Sequence, residues 1–187
     1  MNNIKSIETV YDGHRFRSRL EARYAMFFNE LHIKWVYEPE GFVLSDGTCY
    51  LPDFYLPESD SFFEVKGIMS DKDMHKIEML IRDANKQVII GYPDFTFESC
   101  NYGDWDEEGY SNSLTSKNES VLVHCRSCQR YYFSGINWSY ECRCCDAYDG
   151  DHYFDVVMWG NGCIEEKEVK DAIFKAQQAR FERWEET

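Results

Sequence analysis

The stretch "YLPDFYLPESDSFFEVKG" (residues 50–67) decides how the chain is read. Two short apolar runs flank "PESD" (57–60), a cluster of turn formers, so the stretch predicts a β-hairpin. Yet Asp53, Glu64 and Lys66 stand where a buried strand favours Val or Ile. Asp53 and Glu64 lie symmetrically about the Glu58–Ser59 junction. A regular hairpin without a bulge therefore sets them directly opposite, with Cβ atoms roughly 4.5–5.5 Å apart. Lys66, two residues beyond Glu64, projects from the same face. The other face receives Phe54 opposite Phe63 and Pro52 opposite Val65, an apolar set suited to burial.

Two opposed carboxylates repel and weaken a plain sheet. A hard divalent cation removes that repulsion, since Mg²⁺ takes one or two carboxylates and keeps several waters. Lys66 can hold a phosphate oxygen or ease the deprotonation of a water. Together these groups are equipment for metal-assisted phosphodiester hydrolysis. The simpler alternative is a solvated sheet face carrying an ion pair from Lys66 to either carboxylate.

Working outward, "RSRLEARYAMFFNELHI" (17–33) predicts a helix: Leu20, Tyr24, Phe27, Phe28 and Leu31 follow a 3.6-residue stripe, with Ser18 near the N-cap. Residues 35–44 predict a strand bent or at an edge by Pro39. A second strand falls around 49–56 and a third at 61–67. Asp71 is expected to cap a helix over 72–86. "QVIIGY" (87–92) is a wholly apolar run, as expected of a strand buried on both faces. The order is α-β-β-β-α-β, a mixed α/β core within residues 1–95.

"PDF" (52–54) followed by "EVK" (64–66) resembles the bipartite signature of the PD-(D/E)xK nuclease superfamily, the restriction-endonuclease-like fold. Glu21, in "RSRLEARYA" ahead of the hairpin, makes the pattern similar to phage Holliday-junction resolvases and transposon-end nucleases. The resemblance covers about residues 14–92 and implies an α-β-β-β-α-β core. It implies that Asp53 and Glu64 ligate Mg²⁺ or Mn²⁺, with the Val65 carbonyl as a further ligand. It also implies that Lys66 positions or activates the attacking water and that Glu21 reaches the site from the first helix. A solvated Glu21 paired with Arg17 is the plainer possibility. The implied activity is DNA endonuclease, leaving 5′-phosphate and 3′-hydroxyl ends, on DNA that is branched or otherwise structured. Arg17 and Arg19 could contact phosphate, or a solvated face serves equally well; Lys72 and Lys76, one turn apart, could face the cleft, though an exposed stripe is the plainer reading. A phage or mobile-element origin fits the same resemblance.

After Pro93 the composition changes. Residues 96–120 are acidic and rich in Gly, Ser and Asn, which predicts an exposed connector. Residues 121–151 form a cysteine-rich module in which Cys125, Cys128, Cys142 and Cys145 give C-x₂-C-x₁₃-C-x₂-C. Four thiolates in paired turns suit a tetrahedral structural zinc of the ribbon type, inserted into the α/β core. Cys144 and His124 are neighbouring alternatives for one ligand. Arg126, Arg130 and Arg143, with Tyr131, Tyr132 and Trp138, could stack on and pair with nucleic acid, or the aromatics could form the module's own core. Residues 152–160 predict a strand and 165–186 a last helix, both packing back on the core. Cys49, Cys100 and Cys163 are isolated.

Hydrophobic residues make up 43% of the 187 and aromatic ones 17%, which fits a folded chain and excludes a disordered one. No run of about 18 apolar residues is present, so no membrane partner is expected. The N-terminus shows no apolar signal segment, so the expected compartment is cytoplasmic, that of a host if phage-encoded. Reducing conditions there favour metal over disulfides for the eight cysteines. The net charge of −14 opposes tight nonspecific binding of nucleic acid. Residues 1–34 nevertheless carry six bases against four acids. A second copy or a partner protein could supply DNA affinity. The charge also keeps another class in view: a catalytically silent nuclease-fold binding protein, or an acidic inhibitor of a nucleic-acid enzyme.

Overall fold

The computed structural model describes residues 6–106, 109–119, 121–134, 142–147, 154–159 and 166–181. A small hairpin comes first, β1 (Thr9–Tyr11) with β2 (His14–Phe16). Helix α1 (Arg19–Glu30) begins at Ser18, whose hydroxyl accepts the Glu21 N–H at 3.1 Å. There follow β3 (Val36–Tyr37), β4 (Phe42–Val43), β5 (Cys49–Tyr50), β6 (Phe54–Leu56), β7 (Ser61–Val65), α2 (Asp71–Ala84) and β8 (Gln87–Gly91). The rest of the chain gives β9 (Phe97–Asp106), β10 (Gly109–Glu119), β11 (Val121–Cys125), β12 (Arg130–Ser134), β13 (Phe154–Trp159) and α3 (Lys167–Gln178).

The architecture is mixed α/β. A six-stranded sheet runs in the order β10-β9-β8-β7-β6-β3, with β7 and β8 parallel and the other pairs antiparallel. Parallel neighbours need a crossover, and α2 supplies it. Alternation of side chains divides the core in two. On one face Phe54, Phe63, Ile89 and Phe97 meet Tyr24, Phe27 and Phe28 of α1 and Val169 and Ala172 of α3. On the other, Phe62, Val88 and Ile90 meet Ile77, Leu80 and Ile81 of α2. The run at 87–92 is buried on both faces, as its composition predicts.

Several expectations are corrected. The strand expected over 35–44 is broken into β3 and β4, with Glu38 between them at φ 45°. The strand around 49–56 splits at Pro52 into β5 and β6; proline has no N–H to extend the ladder. Ser70, not Asp71, caps α2. Its side chain accepts the Asp73 N–H while Asp73 reaches back to the Ser70 N–H, a reciprocal box. Helix α3 is shorter than 165–186, and its expected end from residue 182 lies outside the described residues. Residues 96–120 are not a connector: β9 and β10 pair along the edge of the main sheet, with two register shifts. Backbone ladder bonds hold an edge strand without apolar alternation, so polar composition misleads there.

The cysteine module is likewise not set apart. Strand β11 pairs with both β12 and β13, so the strand expected at 152–160 joins the module's sheet and not the main one. Leu122, Tyr131 and Phe133 enter the α1-side core, where the Phe133 ring lies 4.8 Å from Phe97 and 5.5 Å from Phe63.

Candidate metal centres

The register of the deciding hairpin is regular. Leu56 pairs with Ser61, Tyr55 with Phe62 and Phe54 with Phe63, and no bulge interrupts them. Asp53 stands one step beyond this ladder, opposite Glu64. The strands part at that point: the Asp53 N–H donates to Glu64 Oε1 at 3.3 Å, and the Val65 N–H donates to Asp53 Oδ2 at 2.8 Å. An extended residue directs its N–H and C=O to the same neighbour, so the Val65 carbonyl also faces the Asp53 side. Lys66 Nζ sits 2.7 Å from Glu64 Oε2 and 3.9 Å from Asp53 Oδ2. Its backbone N–H donates to the Gly91 carbonyl at 3.0 Å, which fixes where the side chain departs. Asp53, Glu64 and Lys66 therefore converge as the spacing predicts, with Phe54 and Phe63 buried behind them.

Electrostatics mark the pair as strained. Glu64 is 1% exposed, and burial first, then the Asp53 charge, pushes its carboxyl up to about 7 against the pull of Lys66. Burial works against the Lys66 ammonium, yet Glu64 and Asp53 outweigh it and hold its pKa above the ordinary lysine value. Arg17 donates to Asp53 Oδ1 at 2.7 Å and forms an ion pair with Glu38 at 2.9 Å. Two side-chain cations thus neutralise the carboxylates.

Glu21 is placed differently from the other carboxylates. Its oxygens accept from the Ser18 hydroxyl at 2.7 Å, the Tyr37 hydroxyl at 2.6 Å and the Arg17 backbone N–H at 3.1 Å. Burial, then the charge of Asp53, raises its pKa. It lies beside the pair but is bound to its own shell, and the Arg17 contact is through backbone and not through the guanidinium. Tyr37, Glu38 and Tyr50 are neighbours that sequence reasoning missed. The buried Tyr50 hydroxyl makes no hydrogen bond of good geometry. Burial first and the Glu64 charge second push it far above an ordinary phenol. Strand alternation alone could not have found these residues, because β3 and β5 are two residues long.

Arg19 and Lys72 are exposed and Lys76 is half-buried. Lys76 feels the Asp73 carboxylate, which also feels Lys66. Arg130 is engaged elsewhere, against Glu58, and so is not a free phosphate ligand. Arg126 is exposed in the turn after Cys125. Tyr131 and Tyr132 are buried, so they serve the core and do not offer stacking faces; Trp138 lies outside the described residues.

The second centre is the cysteine cluster. The sulfurs of Cys125, Cys128, Cys142 and Cys145 all lie within 4.8 Å of one another, a site that could hold a metal such as zinc. Cys125 and Cys142 are fully buried. The Ala147 backbone N–H first, against slight desolvation, holds the Cys145 thiol down to about 7, which favours a thiolate. Four sulfurs fill a tetrahedron, the arrangement of a closed structural site. The two alternative ligands are excluded by their own contacts. His124 stacks on Tyr131 at 4.5 Å and meets Glu166 at 3.1 Å, while Cys144 turns its sulfur to Glu58 at 3.4 Å. Cys49 and Cys100 form no disulfide; Cys163 lies outside the described residues.

No known protein family matches the chain, and no curated protein matches it either. No helix among the described residues is long and apolar enough to cross a membrane.

Proposed function

We propose that the chain is a metal-dependent DNA endonuclease with a restriction-endonuclease-like core. The observation that carries this reading is the unbulged hairpin register, which brings Asp53, Glu64 and Lys66 to one point at the end of the ladder. The parallel β7–β8 pair, with helices covering both sheet faces, supports the fold assignment.

The donor set suits a hard divalent ion: two adjacent carboxylates, of which buried Glu64 is driven toward its protonated form, and a backbone carbonyl on the same side. Mg²⁺ or Mn²⁺ held there would polarise a phosphate and lower the pKa of a water. The chain's own groups do the rest. Asp53 and Glu64 would hold the cation. Lys66, anchored through Gly91, is placed to hold a phosphate oxygen or to take part in orienting the attacking water. Glu21, clasped by Ser18 and Tyr37, holds Arg17's backbone at the rim and adds negative field beside Asp53. Cleavage leaving a 5′-phosphate and a 3′-hydroxyl, on branched or structured DNA, is the expected outcome. Zinc at the four cysteines is structural in this reading.

A second reading, a silent nuclease-fold binding protein or acidic inhibitor, draws on the net charge of −14 and on the engagement of Arg17, Lys66 and Arg130 by carboxylates. One experiment separates them. Purified protein is incubated with Mg²⁺ or Mn²⁺ and linear, single-stranded or branched DNA, beside Asp53→Ala, Glu64→Ala and Lys66→Ala. The enzyme reading expects cutting that all three substitutions abolish. Cutting that survives Asp53→Ala and Glu64→Ala would sink the site, and no cutting of any substrate would favour the binding reading.

A further inference from the structure

The tip of the hairpin, "PESD", is gripped from outside by the cysteine module. Glu58 is only 7% exposed, and its carboxylate receives the Arg130 guanidinium, with Lys34 at 3.4 Å and the Cys144 thiol at 3.4 Å. Ser59 Oγ accepts the Phe133 backbone N–H at 3.0 Å. Asp60 Oδ2 lies 3.3 Å from Arg143, while its other oxygen takes the Tyr55 hydroxyl at 2.7 Å and the Lys86 ammonium. Three consecutive tip residues are therefore each tied to the module. Three of the four tying residues sit among the metal ligands: Arg130 follows Cys128 by two positions, and Arg143 and Cys144 lie between Cys142 and Cys145.

The grip has a mechanical reason. Only three residue pairs hold β6 to β7, and so short a ladder is weak by itself. A one-residue slip would carry Asp53 to the opposite face and dissolve the carboxylate pair. A buried carboxylate such as Glu58 is costly unless paired, and the module supplies two of its partners, Arg130 and Cys144, beside Lys34.

We propose that Glu58, Ser59 and Asp60 are positioning residues through which the metal-loaded cysteine cluster fixes the register of Asp53 and Glu64. Metal at the four sulfurs orders the turn bearing Arg143 and Cys144 and the start of β12 at Arg130; these hold the tip, and the tip holds the two carboxylates opposed. The consequence for cation affinity rests on the nuclease reading, whereas the ordering of the hairpin does not.

The test uses the full chain carrying Ser59→Ala, Arg130→Ala and Arg143→Ala together, beside zinc-loaded and chelator-treated wild type. Amide hydrogen exchange over residues 61–66 is followed without added divalent ion, and Mn²⁺ affinity of the zinc-loaded proteins is then measured by calorimetric titration. The expected result is about tenfold faster exchange over 61–66 in both the variant and the zinc-stripped protein, a larger change than at the α1 amides. Mn²⁺ Kd weakens by about tenfold in the triple variant, and a version carrying Arg130→Lys instead of Arg130→Ala regains part of both losses. Wild-type exchange rates in the variant would overturn the proposal, as would a loosened hairpin with unchanged Mn²⁺ affinity. A wild type that binds no Mn²⁺, yet shows the exchange difference, would sink the metal reading and leave the clamp standing.

Discussion

Glu64 is the residue on which the site turns, because it is held nearly dry beside another carboxylate. Its pKa in the folded chain, raised to about 7 by burial and by Asp53, stands above that of an unfolded glutamate. The folded state therefore holds this proton more tightly than the unfolded state does. Its contribution to stability is fully present below about pH 4.5 and is lost as pH rises through about 7. Glutamine mimics the protonated form at every pH, so Glu64→Gln should gain on wild type as pH climbs. The gap should reach a few kcal/mol, in order of magnitude, by about pH 8. Thermal denaturation of both proteins between about pH 5 and about pH 8 checks this, and a constant difference contradicts it. Excess Mn²⁺ should shrink the gap for wild type alone, since a bound cation stabilises the state that holds it.

At the scale of elements, Gly91 closes the space between β8 and its neighbours. A Cβ there would lie 2.5 Å from the Phe63 ring and 2.6 Å from the Tyr24 ring, both buried. Gly91→Ala should cost about 1–3 kcal/mol, because neither ring has room to retreat. Its carbonyl also anchors Lys66, so on the nuclease reading the same substitution should impair cleavage beyond the loss of stability; urea unfolding alongside a cleavage assay separates the two. The reciprocal Ser70–Asp73 cap is a second case, where Ser70→Ala should cost about 1 kcal/mol, read by the same urea unfolding. The elements also show what the sequence could tell. Helices α1 and α2, β7 and β8 were legible because each has an apolar period to match a core. Asp53 and Glu64 were legible because a four-residue turn leaves a symmetric register. The β9–β10 hairpin and the two-residue strands were not, since backbone pairing at an edge leaves no such pattern. Glu58 looked like an ordinary turn acid, because its partners are far off in sequence: Lys34 lies 24 residues upstream, and Arg130 and Cys144 lie 72 and 86 residues downstream.

For the molecule as a whole, the expected division into core, connector and module gives way to shared packing. Phe133 stands among Phe28, Phe63 and Phe97, so removing the module would open the main core. The chain should melt in one calorimetric transition, not two. Chelating the cysteine-bound metal should lower that single Tm and not merely remove a separate small step. Metal analysis should return about one zinc per chain; under half an equivalent would contradict the ribbon assignment. The overall charge of −14 sets a further expectation, that any DNA affinity will be modest and will fall with salt along a shallow slope.

Arg17 occupies one oxygen of Asp53, Oδ1, at 2.7 Å, and spans from it to Glu38. A guanidinium and a divalent ion drawn to the same carboxylate oxygen compete for it. On the nuclease reading, loading the ion would release Arg17, which keeps its charge and is half exposed at the rim. The free fork would then be available to a phosphate, for which its geometry is suited. Ion and substrate would bind with positive linkage: each would raise the affinity for the other, and the empty enzyme would keep its own anion receptor closed.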